Sequence, residues 1–327
     1  MKQAVAYKGP GYVQGAITAK ESVLKALAYF DIFHYPLTKE EIYAFLDRRS
    51  IKKELDALLT SLAADKIIFL HNGVYSLQDN PLLSYRRYQG NRRAEKMLVK
   101  AQRIGRFLYQ FPFVRAVGVS GSLSKNYADE KADIDFFIIT KANRLWIART
   151  IMHLFKKLTF LTGRQRLYCM NYYIDEEALQ LADQNIFTAI ELKTVVPVAG
   201  EDTMNAFFNI NSWADTWLPV CPQRLQKEKD TKPGWLKKWM EGLLNNKVGD
   251  KIDDVFFRLT STRWKRKERS GKRNEKGIRM GLVTDKHFAK SNPGDFQEKV
   301  LSLYRQRVDA ISMLSTAAEL TVSSATL

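Results

Sequence analysis

The spacing of apolar residues predicts that the chain begins with a helical region. Between Glu21 and Phe30 apolar side chains recur every three or four positions, which is the period of one buried helix face. Thr38, followed three residues later by Glu41, forms the capping-box pattern that starts a second helix. A further periodic segment begins at about Ser50 and predicts a third helix.

A β-hairpin is predicted after the third helix. Apolar runs at 67–70 and 74–77 flank an Asn-Gly pair, which favours a tight turn. Three helices and a hairpin within 20–80 resemble a winged helix-turn-helix domain, whose third helix commonly lies in the DNA major groove. The third helix starts with basic residues and continues with acidic ones, so DNA binding and mere packing or dimerisation both stay open. The basic residues are Arg48, Arg49, Lys52 and Lys53.

From residue 81 onward, strands appear among the helices. A long helix with basic outer residues is expected to end near Phe111. Strands are then predicted at 114–119, 133–139 and 167–174, and helices at 143–160 and 187–196.

The turn after the first of these strands and the start of the second carry candidate chemistry. The first strand ends in Gly121-Ser122, and Asp133 and Asp135 alternate with apolar residues in the second, which places both carboxylates on one face. Neighbouring carboxylates repel each other unless a cation lies between them, and carboxylates together with substrate phosphates are ligands that Mg²⁺ prefers. Glycine lets the backbone approach a phosphate, and Ser122 offers a hydroxyl and an N–H. These residues predict a site for Mg²⁺ and a phosphate-bearing ligand.

The order of an apolar strand, Gly-Ser, a gap and Asp-apolar-Asp-apolar resembles the signature of the DNA polymerase β-like nucleotidyltransferase superfamily. The resemblance implies that Gly121 and Ser122 hold a nucleoside triphosphate. It implies that Asp133 and Asp135 are catalytic and bind Mg²⁺, or Mn²⁺ in its place. The implied fold class is α+β, with a nucleotidyltransferase core at 81–200 built as a mixed sheet flanked by helices. An ordinary hairpin with two solvated aspartates is the alternative.

The third carboxylate of the resembled family has no obvious counterpart in this chain. The family commonly places it on a later strand, where this sequence has Asn171. An asparagine oxygen can ligate a metal, but the side chain cannot act as a base at neutral pH. We expect Asn171 to lie in the site as a neutral third catalytic member, or else to contact only backbone. Asp175, about 13 Å further along at roughly 3.3 Å per residue, and Glu191 are the other candidates.

Three basic residues near the motif are expected to contact the phosphates of the nucleotide. Lys125 lies in the segment after the Gly-Ser turn, and Lys141 and Arg144 lie just beyond the aspartate strand. Basic side chains form charge-assisted hydrogen bonds to phosphate. Solvation alone is the alternative for Lys141 and Arg144.

The composition indicates a soluble, basic protein. The 327 residues carry a formal net charge of +17, which attracts polyanions such as nucleic acid, nucleoside triphosphate or anionic lipid. No apolar run is long enough to cross a bilayer, so we expect a cytoplasmic protein without a membrane partner. Residues 1–19 lack the apolar core of a signal peptide and are expected to be loose.

The remainder, 201–327, is predicted to be a helical C-terminal region that includes a basic loop at 256–280. Dense lysine and arginine around Trp264 favour contact with a phosphodiester backbone, and a solvated loop is the alternative. The candidate nucleic-acid-binding residues are Lys265, Arg266, Lys267, Lys272 and Arg273.

The predicted activity is transfer of a nucleoside monophosphate from a nucleoside triphosphate to an acceptor hydroxyl, with release of pyrophosphate. The acceptor stays open among a nucleic acid such as tRNA, a protein and a small molecule. The alternative is a catalytically inactive protein on the same fold that senses nucleotides or binds nucleic acid. A pure DNA-binding regulator would leave the Gly-Ser and Asp-x-Asp patterns without explanation.

Overall fold

The structure is a computed structural model that describes residues 18–49, 53–159, 161, 163, 165–225, 232–273, 277–291 and 293–324. The expectation of a loose N-terminal segment therefore lies outside the described residues, apart from its last two positions. The predicted start of the third helix at Ser50 and the basic residue Lys52 lie outside them as well.

The N-terminal elements follow the predicted order of three helices and a hairpin. The predicted capping box of Thr38 and Glu41 is present, and an equivalent box of Thr18 and Glu21 starts the first helix. The hairpin turn uses Asn72 and Gly73, both with positive φ, as a tight turn between strands requires. These elements are α1 (Ala19–Asp31), α2 (Lys39–Ala44), α3 (Leu55–Ala64), β1 (Phe69–His71) and β2 (Val74–Ser76).

A long helix, α4 (Leu82–Tyr109), connects this region to the sheet. Arg87 of α4 makes two hydrogen bonds to the Glu41 carboxylate, of 2.6 and 2.9 Å, in a bidentate pair. The C-terminal helix α12 (Phe296–Ser324) packs on α1, where Arg307 lies 2.9 Å from Asp31. The N-terminal helices are therefore attached to both the middle and the end of the chain.

The centre of the fold is a mixed six-stranded sheet in the order β6-β3-β4-β5-β8-β7, flanked by helices. Strands β4 and β5 are parallel, and the other neighbours are antiparallel. The α+β class is thus confirmed. The strands are β3 (Val114–Ser120), β4 (Asp135–Thr140), β5 (Cys169–Asp175), β6 (Val196–Ala199), β7 (Leu282–Thr284) and β8 (Phe288–Ser291).

Alternating residues of β4 divide the core into two layers. Phe136 and Ile138 pack with Trp146 in one cluster, and Phe137 and Ile139 pack in the other. Helix α4 packs on β3 and β6, and α6 (Leu145–Thr159) packs on β5. The remaining helices of the middle region are α5 (Gly121–Ser124), α7 (Ile186–Thr194), α8 (Glu201–Ile210) and α9 (Ala214–Trp217).

The C-terminal region differs from the prediction in two ways. Strands β7 and β8 extend the central sheet, so the region is not wholly helical. Much of the predicted basic loop is the second half of α11 (Lys247–Arg269), which follows α10 (Trp235–Leu244). Lysine and arginine are good helix formers and suit a helix C-terminus, so a dense basic run does not by itself indicate a loop. None of the described helices combines the length and apolar character needed to cross a membrane.

Candidate active site

The Gly-Ser turn lies where β3 passes into the short helix α5. Gly121 has φ +69°, and a Cβ added there would lie 2.5 Å from Asp135 Oδ2. Only glycine gives both the left-handed backbone and the space for this carboxylate. Ser122 is exposed, and its hydroxyl has no hydrogen-bond partner among the residues that the structure describes. The turn therefore presents an unengaged hydroxyl beside a carboxylate.

The two predicted aspartates lie at the start of β4. Asp135 is the first residue of the strand, and Asp133 lies two residues before it. Asp135 pairs with Ser120 in the antiparallel register, which fixes the carboxylate beside the turn. Both Asp133 and Asp135 are half-buried. Burial, and next the negative charges of Asp133 and Glu191, raise the pKa of Asp135 to about 7. The site thus concentrates negative charge that the described side chains only partly neutralise.

Asn171 is brought directly to this carboxylate. Its Nδ2 donates a hydrogen bond of 2.5 Å to Asp135 Oδ1. The parallel register pairs Phe136 with Met170 and Phe137 with Tyr172, so Asn171 is the extra residue of a β-bulge in β5. The bulge aims the amide at Asp135, and a catalytic role for Asn171 stays a prediction.

The same bulge removes Asp175 from consideration. Beyond it, Asp175 pairs with Thr140 at the far end of β4. The Asp175 carboxylate accepts a hydrogen bond from the backbone N–H of Asn143 at 2.9 Å and lies 3.0 Å from His287 Nδ1. Asp175, a candidate for the third carboxylate, therefore lies away from Asp135, because it pairs at the far end of β4 and the inserted residue has reversed the side-chain alternation of β5.

Glu191 of α7 is the carboxylate that joins the site, through Lys125. The Lys125 Nζ donates to Glu191 Oε1 at 2.7 Å and to the Gly121 carbonyl at 3.1 Å. Lys125 is therefore beside the Gly-Ser turn, as the sequence predicts, but its charge is shared with Glu191. An anion bound at the turn would compete with Glu191 for this ammonium group.

Replacing Lys125 by methionine should raise the pKa of Asp135 above about 7. Lys125 lowers this pKa and Glu191 raises it, so removal of the lysine leaves Glu191 without the cation that it pairs with. Carboxyl ¹³C chemical shifts, titrated in metal-free buffer, would report the change. Lys141→Met is the matched control and should leave the Asp135 titration unchanged. A pKa that is unaltered in Lys125→Met would contradict the coupling.

Lys141 and Arg144 lie at the opposite end of β4 from Asp135. Six residues of strand at about 3.3 Å each place them roughly 20 Å along the sheet. The Lys141 Nζ donates to Asn245 Oδ1 at 2.8 Å, and buried Arg144 donates to Asp250 Oδ1 at 2.6 Å. The predicted phosphate contacts of these two residues are therefore not supported, because the Gly-Ser turn and Asp135 lie at the start of β4 and the two basic residues lie beyond its end.

Sequence reasoning missed Lys156 of α6. Its Nζ lies 3.6 Å from Cys169 Sγ, and its charge lowers the pKa of Asp135. The Cys169 thiol, whose pKa burial raises to about 11, donates to Asn171 Oδ1 at 3.2 Å. A chain of contacts thus runs from Lys156 through Cys169 and Asn171 to Asp135. The tertiary packing of α6 on β5 creates it, and no spacing in the sequence signals it.

The predicted nucleic-acid-binding residues fall into separate groups. Lys265, Arg266 and Lys267 lie on the last two turns of α11, where 100° per residue separates Lys265 widely from Lys267. Lys272 lies close enough to Lys267 to lower its pKa. Arg273 instead donates to the Gly277 carbonyl at 2.7 Å. The five residues therefore do not form one continuous block.

The donor set at the turn fits a divalent cation whose remaining ligands come from a substrate. Within the described ranges, no group of three or more His, Cys, Asp and Glu residues is arranged to hold a metal ion. Burial first, and next the negative charge of Asp133, raise the pKa of Asp135, so Asp133 lies close enough to act on this carboxylate. Mg²⁺ commonly takes one or two carboxylates together with substrate phosphates.

A comparison of the chain with family models, curated proteins and solved structures found no match.

Proposed function

We propose that this chain is a magnesium-dependent nucleotidyltransferase that moves a nucleoside monophosphate from a nucleoside triphosphate to an acceptor hydroxyl. The observation that carries the proposal is the meeting of Gly121 with Asp135, where the Cβ that glycine lacks would lie 2.5 Å from the carboxylate oxygen. A backbone built this tightly around a carboxylate of raised pKa supports a functional site over a solvated hairpin. The proposal includes a nucleotidyltransferase core at 81–200 and a winged helix at 20–80.

We assign a role in this reaction to each of the chain's own site residues. Asp133 and Asp135 would hold Mg²⁺, which supplies neutralisation of the charge that develops on the transferring phosphate. The exposed Ser122 hydroxyl and the backbone of the Gly-Ser turn would donate hydrogen bonds to the triphosphate. Lys125 would add a positive charge next to the turn. The Asn171 amide would hold Asp135 in place through its 2.5 Å hydrogen bond.

A catalytically inactive nucleotide-binding protein is the second candidate, and one observation favours it. Asn171 donates through its amide nitrogen and cannot accept a proton, and the nearby Glu191 carboxylate is engaged by Lys125. Glu191, which is the other carboxylate besides Asp133 that raises the pKa of Asp135, is thus paired, and Asp133 and Asp135 are assigned to the metal, so no further described carboxylate near Asp135 is left to act as a general base. Such a protein would bind the triphosphate with magnesium but would not turn it over.

Pyrophosphate release separates the two candidates. Each of the four ribonucleoside triphosphates would be incubated with the protein and Mg²⁺, first with total RNA and then with cell extract. We expect release that stops when EDTA removes the metal. Triphosphate binding by calorimetry without release would favour the inactive protein, and absence of both binding and release would contradict the proposed site.

A further inference from the structure

Helices α6 and α11 pack together and present basic side chains along their junction. The rings of Trp146 and Phe257 lie 5.1 Å apart, and the backbone N–H of Ile147 donates to Asp253 Oδ1 at 2.9 Å. We name the basic residues at this junction the α6–α11 surface. Its members are Arg149, Lys156 and Lys157 of α6, Arg263 and Lys267 of α11, and Lys272 just beyond α11.

The charges of this surface are concentrated around His153. Desolvation of the imidazole and the positive charges of Arg149, Lys157, Lys156 and Lys267, in that order, lower its pKa to about 4. Burial and then Arg263, Lys272, Lys157 and Arg149 lower the pKa of Lys267. No member of the α6–α11 surface forms an ion pair with any residue in the described part of the chain. Mutual repulsion of cations that lack an ion-pair partner costs stability, so an anionic ligand would relieve it.

The surface is continuous with the candidate active site. Lys156 belongs to it and also contacts Cys169 at 3.6 Å, from which hydrogen bonds lead through Asn171 to Asp135. An aromatic ring lies at the other end, where the Lys267 ammonium stands 4.6 Å from the centroid of the half-exposed Trp264 ring. Phosphates along cations and a base against an aromatic ring are the two contacts that single-stranded nucleic acid makes with its binding proteins.

We infer that the α6–α11 surface binds the phosphate backbone of a single-stranded nucleic acid whose terminal hydroxyl is the acceptor at the Asp133–Asp135 site. The inference rests on the proposed transferase function and names its acceptor class. A mononucleotide would occupy the Gly-Ser turn and leave Arg263, Lys267 and Lys272 without partners. A nucleic-acid strand long enough to follow both helices would engage all three of these cations. Its end would pass Lys156 and reach the carboxylates of Asp133 and Asp135.

The first test compares two double variants of α11 that remove the same charge. Arg263→Gln/Lys267→Gln removes two members of the surface, whereas Lys251→Gln/Arg269→Gln removes an exposed lysine and arginine from another side of the helix. Binding of a labelled single-stranded RNA would be measured by fluorescence anisotropy across salt concentrations, without nucleotide and in the Asp135→Asn background. Each lost phosphate contact should reduce the salt slope by about 0.7, so the first pair should lose roughly 25-fold in affinity at about 0.1 M salt. The control pair should keep the wild-type slope.

Equal losses in both pairs, or no loss in either, would overturn the inference. Vesicles of anionic phospholipid form a second arm. Binding of vesicles that depends on Arg263 and Lys267, with RNA binding that does not, would also overturn it. The binding assay needs no turnover, so it can detect RNA binding even if the protein transfers no nucleotide. Transfer to a small molecule without RNA binding would refute this inference but not the proposed transferase function.

The titration of His153 gives an independent readout. Phosphates placed among the cations that surround it would stabilise the imidazolium, so its pKa should rise from about 4 when RNA is bound. The sequence has four histidines, and their ring protons can be followed separately by NMR. A His153 titration that is unchanged at saturating RNA would place the strand elsewhere on the protein.

Discussion

Replacing Asp135 by asparagine is expected to reduce pyrophosphate release on the order of a thousandfold. The substitution keeps the shape of the side chain and removes one of the two carboxylates that would hold Mg²⁺. Loss of several kcal/mol of charge stabilisation in the transition state corresponds to this factor, at about 1.4 kcal/mol per tenfold change. Initial rates of pyrophosphate release with saturating triphosphate would measure it. A variant that works at the wild-type rate would refute the assignment of Asp135.

The same substitution should make the metal-free protein more stable above neutral pH. The folded pKa of Asp135, about 7, lies above its ordinary value of 3.8, so between these values the folded state binds more protons than the unfolded state. The free energy of unfolding of the wild type therefore falls as pH rises through this window. At 1.36 kcal/mol per pKa unit, the cost above pH 7 is at most on the order of 4 kcal/mol.

Urea unfolding of wild type and Asp135→Asn between pH 4 and pH 9 in EDTA would test this sign. The two proteins should have similar stability near pH 4, and the variant should be more stable above pH 7. Added Mg²⁺ should stabilise only the wild type at high pH, because only the wild type keeps both carboxylates. A wild type that gains stability between pH 4 and pH 7 relative to the variant would contradict the raised pKa.

The sequence pattern correctly predicted those elements that depend on only a few neighbouring residues. The capping box at Thr38 and the Asn-Gly turn at Gly73 each need only a few adjacent residues, and both are present. The alternation of Asp133 and Asp135 with apolar residues correctly placed a strand at this point, because a half-buried strand has period two. The Gly-Ser turn and Asp135 meet because β3 and β4 pair in antiparallel register.

Contacts that depend on tertiary packing were not predictable from such patterns. The bulge at Asn171 reverses the side-chain alternation of β5, and a single inserted residue leaves no signal in composition. Lys125 is paired with Glu191, 66 residues away, so its local sequence indicates a free cation. Strands β7 and β8 are only three and four residues long. Strand β8 joins the sheet by pairing with β5, which is distant in sequence, and β7 then pairs with β8. In each case the decisive partner lies far along the chain.

Gly121→Ala should reduce pyrophosphate release by about 100-fold or more and should also destabilise the protein. The positive φ of +69° costs an alanine about 1–2 kcal/mol. The added methyl group would also lie 2.5 Å from Asp135 Oδ2, so the carboxylate must move. A displacement of about 1 Å at a catalytic group can cost 100-fold in rate. Initial rates and urea unfolding would measure the two effects separately.

Gly73→Ala is the control that measures the cost of backbone strain without any displacement of the Asp135 carboxylate. Gly73 has φ +79°, but a Cβ there meets no atom within 4 Å. Its substitution should therefore lower the stability only through the strained backbone conformation and should leave the rate of pyrophosphate release unchanged. In an Asp135→Ala background the carboxylate is absent and only the Cβ at position 135 remains, 3.4 Å from the added methyl group in ordinary van der Waals contact. Gly121→Ala should then destabilise the protein about as much as Gly73→Ala does. A coupling energy between positions 121 and 135 follows from this double-mutant cycle. If Gly121→Ala costs the same stability in both backgrounds, the glycine serves only the backbone turn, and close approach to Asp135 does not explain it.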